Sequence, residues 1–136
     1  MTIMVEAFKR LVPPAGVMAG IFFLSHQPGE TLPLPALPGL DKLAHFAVYG
    51  LLAATLIRAC RPAMRQARPG RVVAIAILWC LLYGLTDEFH QSFIPGRSVS
   101  LQDILADTLG ALVVSVGWLL IHRTWARTAT AEDLSA

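Results

Sequence analysis

Charge is what this chain is short of. Asp, Glu, Lys and Arg make up only 15% of its 136 residues, against about 25% in a soluble domain. A surface built wholly for water is therefore excluded, and much of it is expected to face lipid. The net charge of +2 is too small to hold a polyanion, which sets nucleic acid aside as a partner. Cysteine is limited to Cys60 and Cys80, so there is neither a disulfide framework nor a cysteine zinc motif. Both lie in or beside apolar runs and read as small packing residues. The sequence has no HExxH pair, no glycine-rich phosphate loop and no serine in a nucleophile elbow. Covalent catalysis is left with no candidate beyond a carboxylate or a histidine.

What is present is apolar. Hydrophobic residues reach 55% and the mean hydropathy is +0.59. The length suits one domain over residues 1–136. Four apolar runs predict helices at roughly 5–24, 42–58, 71–91 and 101–122, each near the length of about 20 residues that a bilayer requires. The expected fold is all-α, a polytopic membrane protein with a four-transmembrane-helix bundle. Lys9-Arg10 ahead of Leu11–Leu24 resembles a signal-peptide core, but Ser25-His26-Gln27-Pro28 offers no small-x-small cleavage site. Pro13-Pro14 suit a first helical turn. Four prolines between Pro28 and Pro38 predict a loop. The arginine-rich segment from Arg58 to Arg71, with Pro62 and Pro69, reads as a basic loop. Pro95-Gly96 suits a turn. Ser100 and Asp103 form a capping-box variant opening the last helix. Ala106 and Gly110 make a small-xxx-small pair that allows close helix approach. The polar tail from Thr124 is expected to fray.

Basic residues set the orientation. Lys9, Arg10, Arg58, Arg61, Arg65, Arg68, Arg71, Arg123 and Arg127 fall on one side of the four spans; only Lys42 and Arg97 fall on the other. Both termini are thus expected in the cytoplasm. With that topology the polar residues share one depth, at the outer ends of the helices. Asp41, Lys42, His45 and Tyr49 mark the second helix, and Tyr83, Asp87, Glu88, His90 and Gln91 the third. Arg97 lies in the following loop, and Asp103 and Asp107 on the fourth helix. Asp41/His45/Tyr49 and Tyr83/Asp87/Gln91 are i, i+4, i+8 rows on single helix faces. Ionisable residues at membrane depth are costly and usually face a bundle interior or a watery cavity.

His45 or His90 can exchange a proton near neutral pH beside a carboxylate. Arg97 can clamp a phosphate or carboxylate, with Lys42 as a second cation. A phosphate-bearing lipid head group is a natural ligand at that depth. Asp41 with His45, Asp87 with Gln91, and Asp103 with Asp107 are i, i+4 pairs able to reach one metal ion; the cofactor stays unknown. The alternative is a salt-bridge network, with Arg97 neutralising Asp87, Glu88 or Asp103 and with Tyr49 and Tyr83 as interfacial aromatics. His26, His90 and Glu30 read as ordinary polar residues, and Trp79, Trp118 and Trp125 as lipid-facing or interfacial packing.

The segments Asp41-Lys42-Leu43-Ala44-His45-Phe46-Ala47-Val48-Tyr49 and Asp87-Glu88-Phe89-His90-Gln91, the turn Pro95-Gly96-Arg97, and Asp103 together resemble the VanZ-like family. Ser25-His26-Gln27-Pro28 is similar to the family's Ser-x-Gln-Pro segment. Asp107 departs from the pattern, where asparagine is expected in many members. The resemblance implies a small bacterial inner-membrane protein and a theme of envelope or antibiotic response, since the family's named member is associated with teicoplanin resistance. Two readings follow. One is action on, or binding of, a lipid-linked or phosphate-bearing envelope molecule through Asp41, His45, Asp87, Glu88, Gln91 and Asp103, with Arg97, Lys42, Tyr49 and Tyr83 binding the substrate. The other is a non-catalytic binding or structural membrane protein.

The topology is directly testable. In a chain with Cys60 and Cys80 replaced by alanine, Ser98→Cys is expected to react with a membrane-impermeant maleimide in intact cells, and Arg65→Cys only after lysis. The opposite pattern would invert the orientation.

Overall fold

The computed structural model describes residues 2–29 and 39–133. Glu30 and the proline-rich stretch 30–38 lie outside them. The described chain is helical: α1 (Thr2–Ser25), α2 (Leu40–Ala59), α3 (Pro62–Ala67), α4 (Pro69–Gln91) and α5 (Leu101–Asp133). Four of these are long and apolar enough to cross a membrane, over Met4–Ser25, Leu40–Ala59, Pro69–Gln91 and Leu101–Ala126. The expected four-helix membrane bundle is present.

Three local expectations need correction. Pro13 and Pro14 lie inside α1, not in its first turn. Proline is tolerated within membrane helices because neighbouring groups can satisfy the backbone it frees. The basic segment is not all loop. Pro62 opens the short α3 and Pro69 opens α4, each using a first-turn position where no N–H is needed. Finally, α5 does not stop near residue 122 but continues to Asp133, since nothing between them is Gly or Pro.

The turn and the cap form largely as their residues dictate. Ile94 O accepts the Arg97 N–H at 3.1 Å across Pro95-Gly96, with Gly96 at φ 75°, the pattern of a type II turn. Ser100 Oγ accepts the Asp103 N–H at 3.3 Å. The reciprocal half of the box is different: the Ser100 N–H goes to Glu88 Oε2 at 2.7 Å.

Because the helices alternate in direction, α1 and α4 run parallel and end at one pole of the bundle, where α2 and α5 begin. This polar pole carries the 25–29 and 92–100 connections; the opposite pole carries the arginines around α3. Tyr49, Leu52, Ala53, Ile21, Cys80 and Ala111 fill the core below the polar pole. Ile57, Val72 and Ala76 fill the other end, with Trp118 packed on them. Phe8, Phe23, Trp79, Phe89 and Trp125 are exposed, as suits an apolar exterior facing lipid.

The closest helix contact is α2 on α5. A Cβ added at Gly110 would collide with the backbone carbonyl of Phe46, and one at Gly50 would lie 3.1 Å from Val114 Cγ2. Backbone-to-backbone approach of this kind needs a small residue. Gly117, on the same helix, has open space at its Cβ position. We expect Gly110→Ala to lower the thermal stability of the detergent-solubilised protein by about 1–3 kcal/mol, the usual range for overpacking, while Gly117→Ala leaves it unchanged. Equal melting of the two variants would disprove the close contact.

Candidate functional site

Two seams of side chains meet at the polar pole. Along the α1–α4 seam, Ser25 Oγ donates to Asp87 Oδ2 at 2.9 Å, and Gln91 Nε2 donates to the same oxygen at 3.1 Å. All three residues are buried. One turn deeper, the half-buried Tyr83 hydroxyl donates to Met18 O at 2.7 Å. Arg97 reaches over the end of α1, with its guanidinium donating to Gln27 O and Leu24 O, each at 3.2 Å. Leu24 O, in the last turn of α1, also takes the Gln27 N–H at 3.2 Å, and Gln27 O lies just past the helix end, so Arg97 fastens the chain where α1 stops. The sequence-based alternative of Arg97 against an acid is not the arrangement found here.

Along the α2–α5 seam, Lys42 Nζ lies 2.6 Å from Asp103 Oδ1 and 2.8 Å from Asp41 Oδ2. Asp41 itself is exposed, whereas Asp103 is buried. One turn deeper, His45 Nδ1 is 2.9 Å from Asp107 Oδ1. A carboxylate only accepts, so this contact makes Nδ1 the donor and leaves the lone pair on Nε2. Tyr49, the next residue of the Asp41/His45 row, is fully buried with its hydroxyl unpartnered among the described residues. It is not an interfacial aromatic.

Glu88 joins the seams. It projects from α4 toward α5, is only 1% exposed, and caps the approach to α5 through the Ser100 N–H. Its other oxygen has no hydrogen-bond partner among the described residues. Ligand atoms of His45, Glu88 and Asp103 lie within 4.8 Å of one another. Of the i, i+4 pairs expected to share an ion, Asp87 and Gln91 stay together and the other two are split. Asp41 sits outside with Lys42, Asp87 and Gln91 face Ser25, and Asp107 orients His45.

A cleft of about 230 Å³ opens between the seams. Ile21, Leu24, Ala44 and Val48 give it apolar walls; Ser25, Asp41, His45, Tyr49, Asp87, Gln91 and Arg97 give it a polar end. It is thus shaped for a molecule with one greasy and one polar part.

The buried face of α4 is Gly84, Asp87, Glu88 and Gln91, a shifted version of the Tyr83/Asp87/Gln91 row. Gly84 matters because a Cβ there would stand 3.0 Å from Asp107 Oδ2 and 3.6 Å from Tyr49 Cε1. Outside this face, His90 Nε2 lies 3.2 Å from His26 Nδ1 in an exposed pair beside Phe22. Ser25, which ends an apolar run as its one hydroxyl, is absent from the site candidates, and Asp107, one turn after Asp103, stands there only as its partner for an ion. Their spacing alone does not reveal that one binds Asp87 and the other His45.

A four-span helical bundle with ionisable side chains buried at one pole defines a polytopic membrane protein with an internal polar site. The chain belongs to the VanZ/LLP1 family, which it matches over residues 6–122. No curated protein and no solved structure matches the chain.

The α1–α4 seam predicts a stability difference. Ser25→Ala strips a buried carboxylate of a donor, and removing a partner from a buried polar group costs about 1–3 kcal/mol. Thr86→Ala loses only a bond from an exposed hydroxyl to its own helix, at Tyr83 O. In detergent melts Ser25→Ala is expected to unfold well below Thr86→Ala; coincident curves would contradict the seam.

Proposed function

We propose that this protein takes the head group of a lipid-linked or phosphate-bearing envelope molecule into the cleft and performs proton transfer on it. The observation that carries this reading is the two-part cleft, apolar along α1 and α2 and polar at its end. An acyl or isoprenoid portion would lie against Ile21, Leu24, Ala44 and Val48. The head group would meet Arg97, with Tyr49 in the lining; Lys42 and Tyr83 act from behind the lining, Lys42 through Asp41 and Asp103 and Tyr83 through Met18 O. His45, held in one tautomer by Asp107, is the proton carrier, and Asp41, Asp87, Glu88, Gln91 and Asp103 supply the surrounding carboxylate and amide groups. In the bacterial inner membrane with cytoplasmic termini, the cleft opens to the outer leaflet. Teicoplanin meets its cell-wall target on that side, which fits the theme attached to the family's named member.

One observation favours a second reading. Arg97 is held by α1 carbonyls, the behaviour of a structural clasp at the end of a bundle. Profiling of lipids and cell-wall precursors in cells making wild type, His45→Ala or Arg97→Ala at matched membrane levels separates the two. A species that changes with wild type and not with His45→Ala supports chemistry and gives its class. No change in any profile, with His45→Ala as abundant as wild type, rejects proton-transfer chemistry on those molecules. Loss of abundance confined to Arg97→Ala assigns that residue to the clasp.

A further inference from the structure

We infer that His45, Glu88 and Asp103 form a binding site for one divalent transition-metal ion, of the Mn2+ or Zn2+ class. The three residues come from three different helices, α2, α4 and α5, and their ligand atoms lie within 4.8 Å of one another. Ligands bound tetrahedrally at about 2.0–2.2 Å from one ion stand about 3.3–3.6 Å apart. A movement of about 1 Å therefore closes the set, within the reach of side-chain rotation.

A cluster of this kind also forms without an ion, so a separate observation is needed. Glu88 provides it. The residue is 1% exposed, one oxygen takes the Ser100 N–H at 2.7 Å, and Oε1 is buried with no partner among the described residues. A carboxylate oxygen left bare at that depth is costly, and a cation in the cluster would supply what it lacks. The histidine is also prepared for coordination. Asp107 Oδ1 at 2.9 Å from Nδ1 reproduces the carboxylate–histidine pairing that orients a metal-binding imidazole. Charge points the same way. Counted as carboxylates, Asp41, Glu88, Asp103 and Asp107 meet one ammonium, Lys42, among the described residues, with His45 on Asp107 as an imidazole. The excess of negative charge is one that a divalent cation reduces. One imidazole with two carboxylates is a mixed donor set suited to Mn2+ or Zn2+. Three protein ligands leave a position open for a water or a phosphate oxygen.

With an ion bound, the Nε2 lone pair of His45 would be a ligand, and a water in the open position would carry the proton of the proposed function in its place. The site is testable without any lipid substrate, so it stands or falls apart from the proposed envelope function. Full-length protein, purified in detergent and stripped with a chelator, is titrated with MnCl2 and followed by electron paramagnetic resonance. Binding of one Mn2+ per chain is expected, with a nitrogen hyperfine coupling from a single imidazole. His45→Gln and Glu88→Gln are expected to weaken binding at least tenfold, and Asp107→Asn, which acts through His45, about 10- to 100-fold. Glu6→Gln, near the other pole, should bind as wild type does. No stoichiometric binding, or binding that lacks the nitrogen coupling, overturns the site. So does affinity unchanged in both His45→Gln and Glu88→Gln. Should either glutamine variant fail to fold, the nitrogen coupling in the wild type decides.

Discussion

The contact between Gly110 and the Phe46 carbonyl governs the geometry of the polar pole. α2 and α5 run in the same direction, so one fixed point of contact sets the register of both. Toward the pole, His45 is next to Phe46 and Lys42 one turn beyond it, while Asp107 stands one turn and Asp103 two turns from Gly110. The pairs His45–Asp107 and Lys42–Asp103 are the next rungs of the same ladder. A bulkier residue at Gly110 would separate the helices along their whole length, and the rungs would part with it. α1 and α4 repeat the arrangement with Met18–Tyr83 and Ser25–Asp87. The bundle is two parallel pairs laid antiparallel, with each pair stitched by polar bonds near one end.

Electrostatics explains why the stitching is so specific. Isolated carboxylates do not survive in a low-dielectric interior without partners. Each acid here has a different answer. Asp87 accepts from a hydroxyl and an amide, Asp103 meets an ammonium, and Asp107 meets an imidazole. Glu88 and Asp107 are each hydrogen-bonded on one oxygen only among the described residues. The acids near helix starts also gain from position, since Asp41 and Asp103 occupy first turns where the helix dipole favours negative charge.

Much of this was legible in the residues. Apolar runs of bilayer length marked the four spans, and Pro95-Gly96 and Ser100 marked a turn and a cap because their chemistry is local. The gathering of Asp87, Gln91, His45 and Asp103 at one depth followed from helix ends and alternating direction. Rotation about the helix axes was harder to read. Asp87 and Glu88 are adjacent, and both are buried because α4 is contacted on two sides, by α1 and by α5. The single-face row through Tyr83, Asp87 and Gln91 therefore leaves out Glu88, which is buried beside Asp87. A salt bridge from Arg97 to Asp87, Glu88 or Asp103 was the alternative its acidic neighbours in sequence suggested. In space its guanidinium meets the Leu24 and Gln27 carbonyls at the end of α1, which carry no sequence signal. The continuation of α5 past residue 122 was hidden for a related reason: polarity marks the edge of a membrane, not the end of a helix.

Chain order gives the polar pole a history. Ribosomal synthesis delivers α1, α2 and α4 before α5, and α5 brings the partners of Lys42 and His45. The Ser100 N–H that binds Glu88 arrives just ahead of it. Until that last segment inserts, Lys42 has only its neighbour Asp41, His45 has no carboxylate, and Glu88 has no donor. Asp87 is the acid whose partners, Ser25 and Gln91, are already made. The bundle is thus locked from its final helix, and a chain cut short before residue 100 would carry its ionisable groups open to the bilayer, where membrane quality control can recognise them.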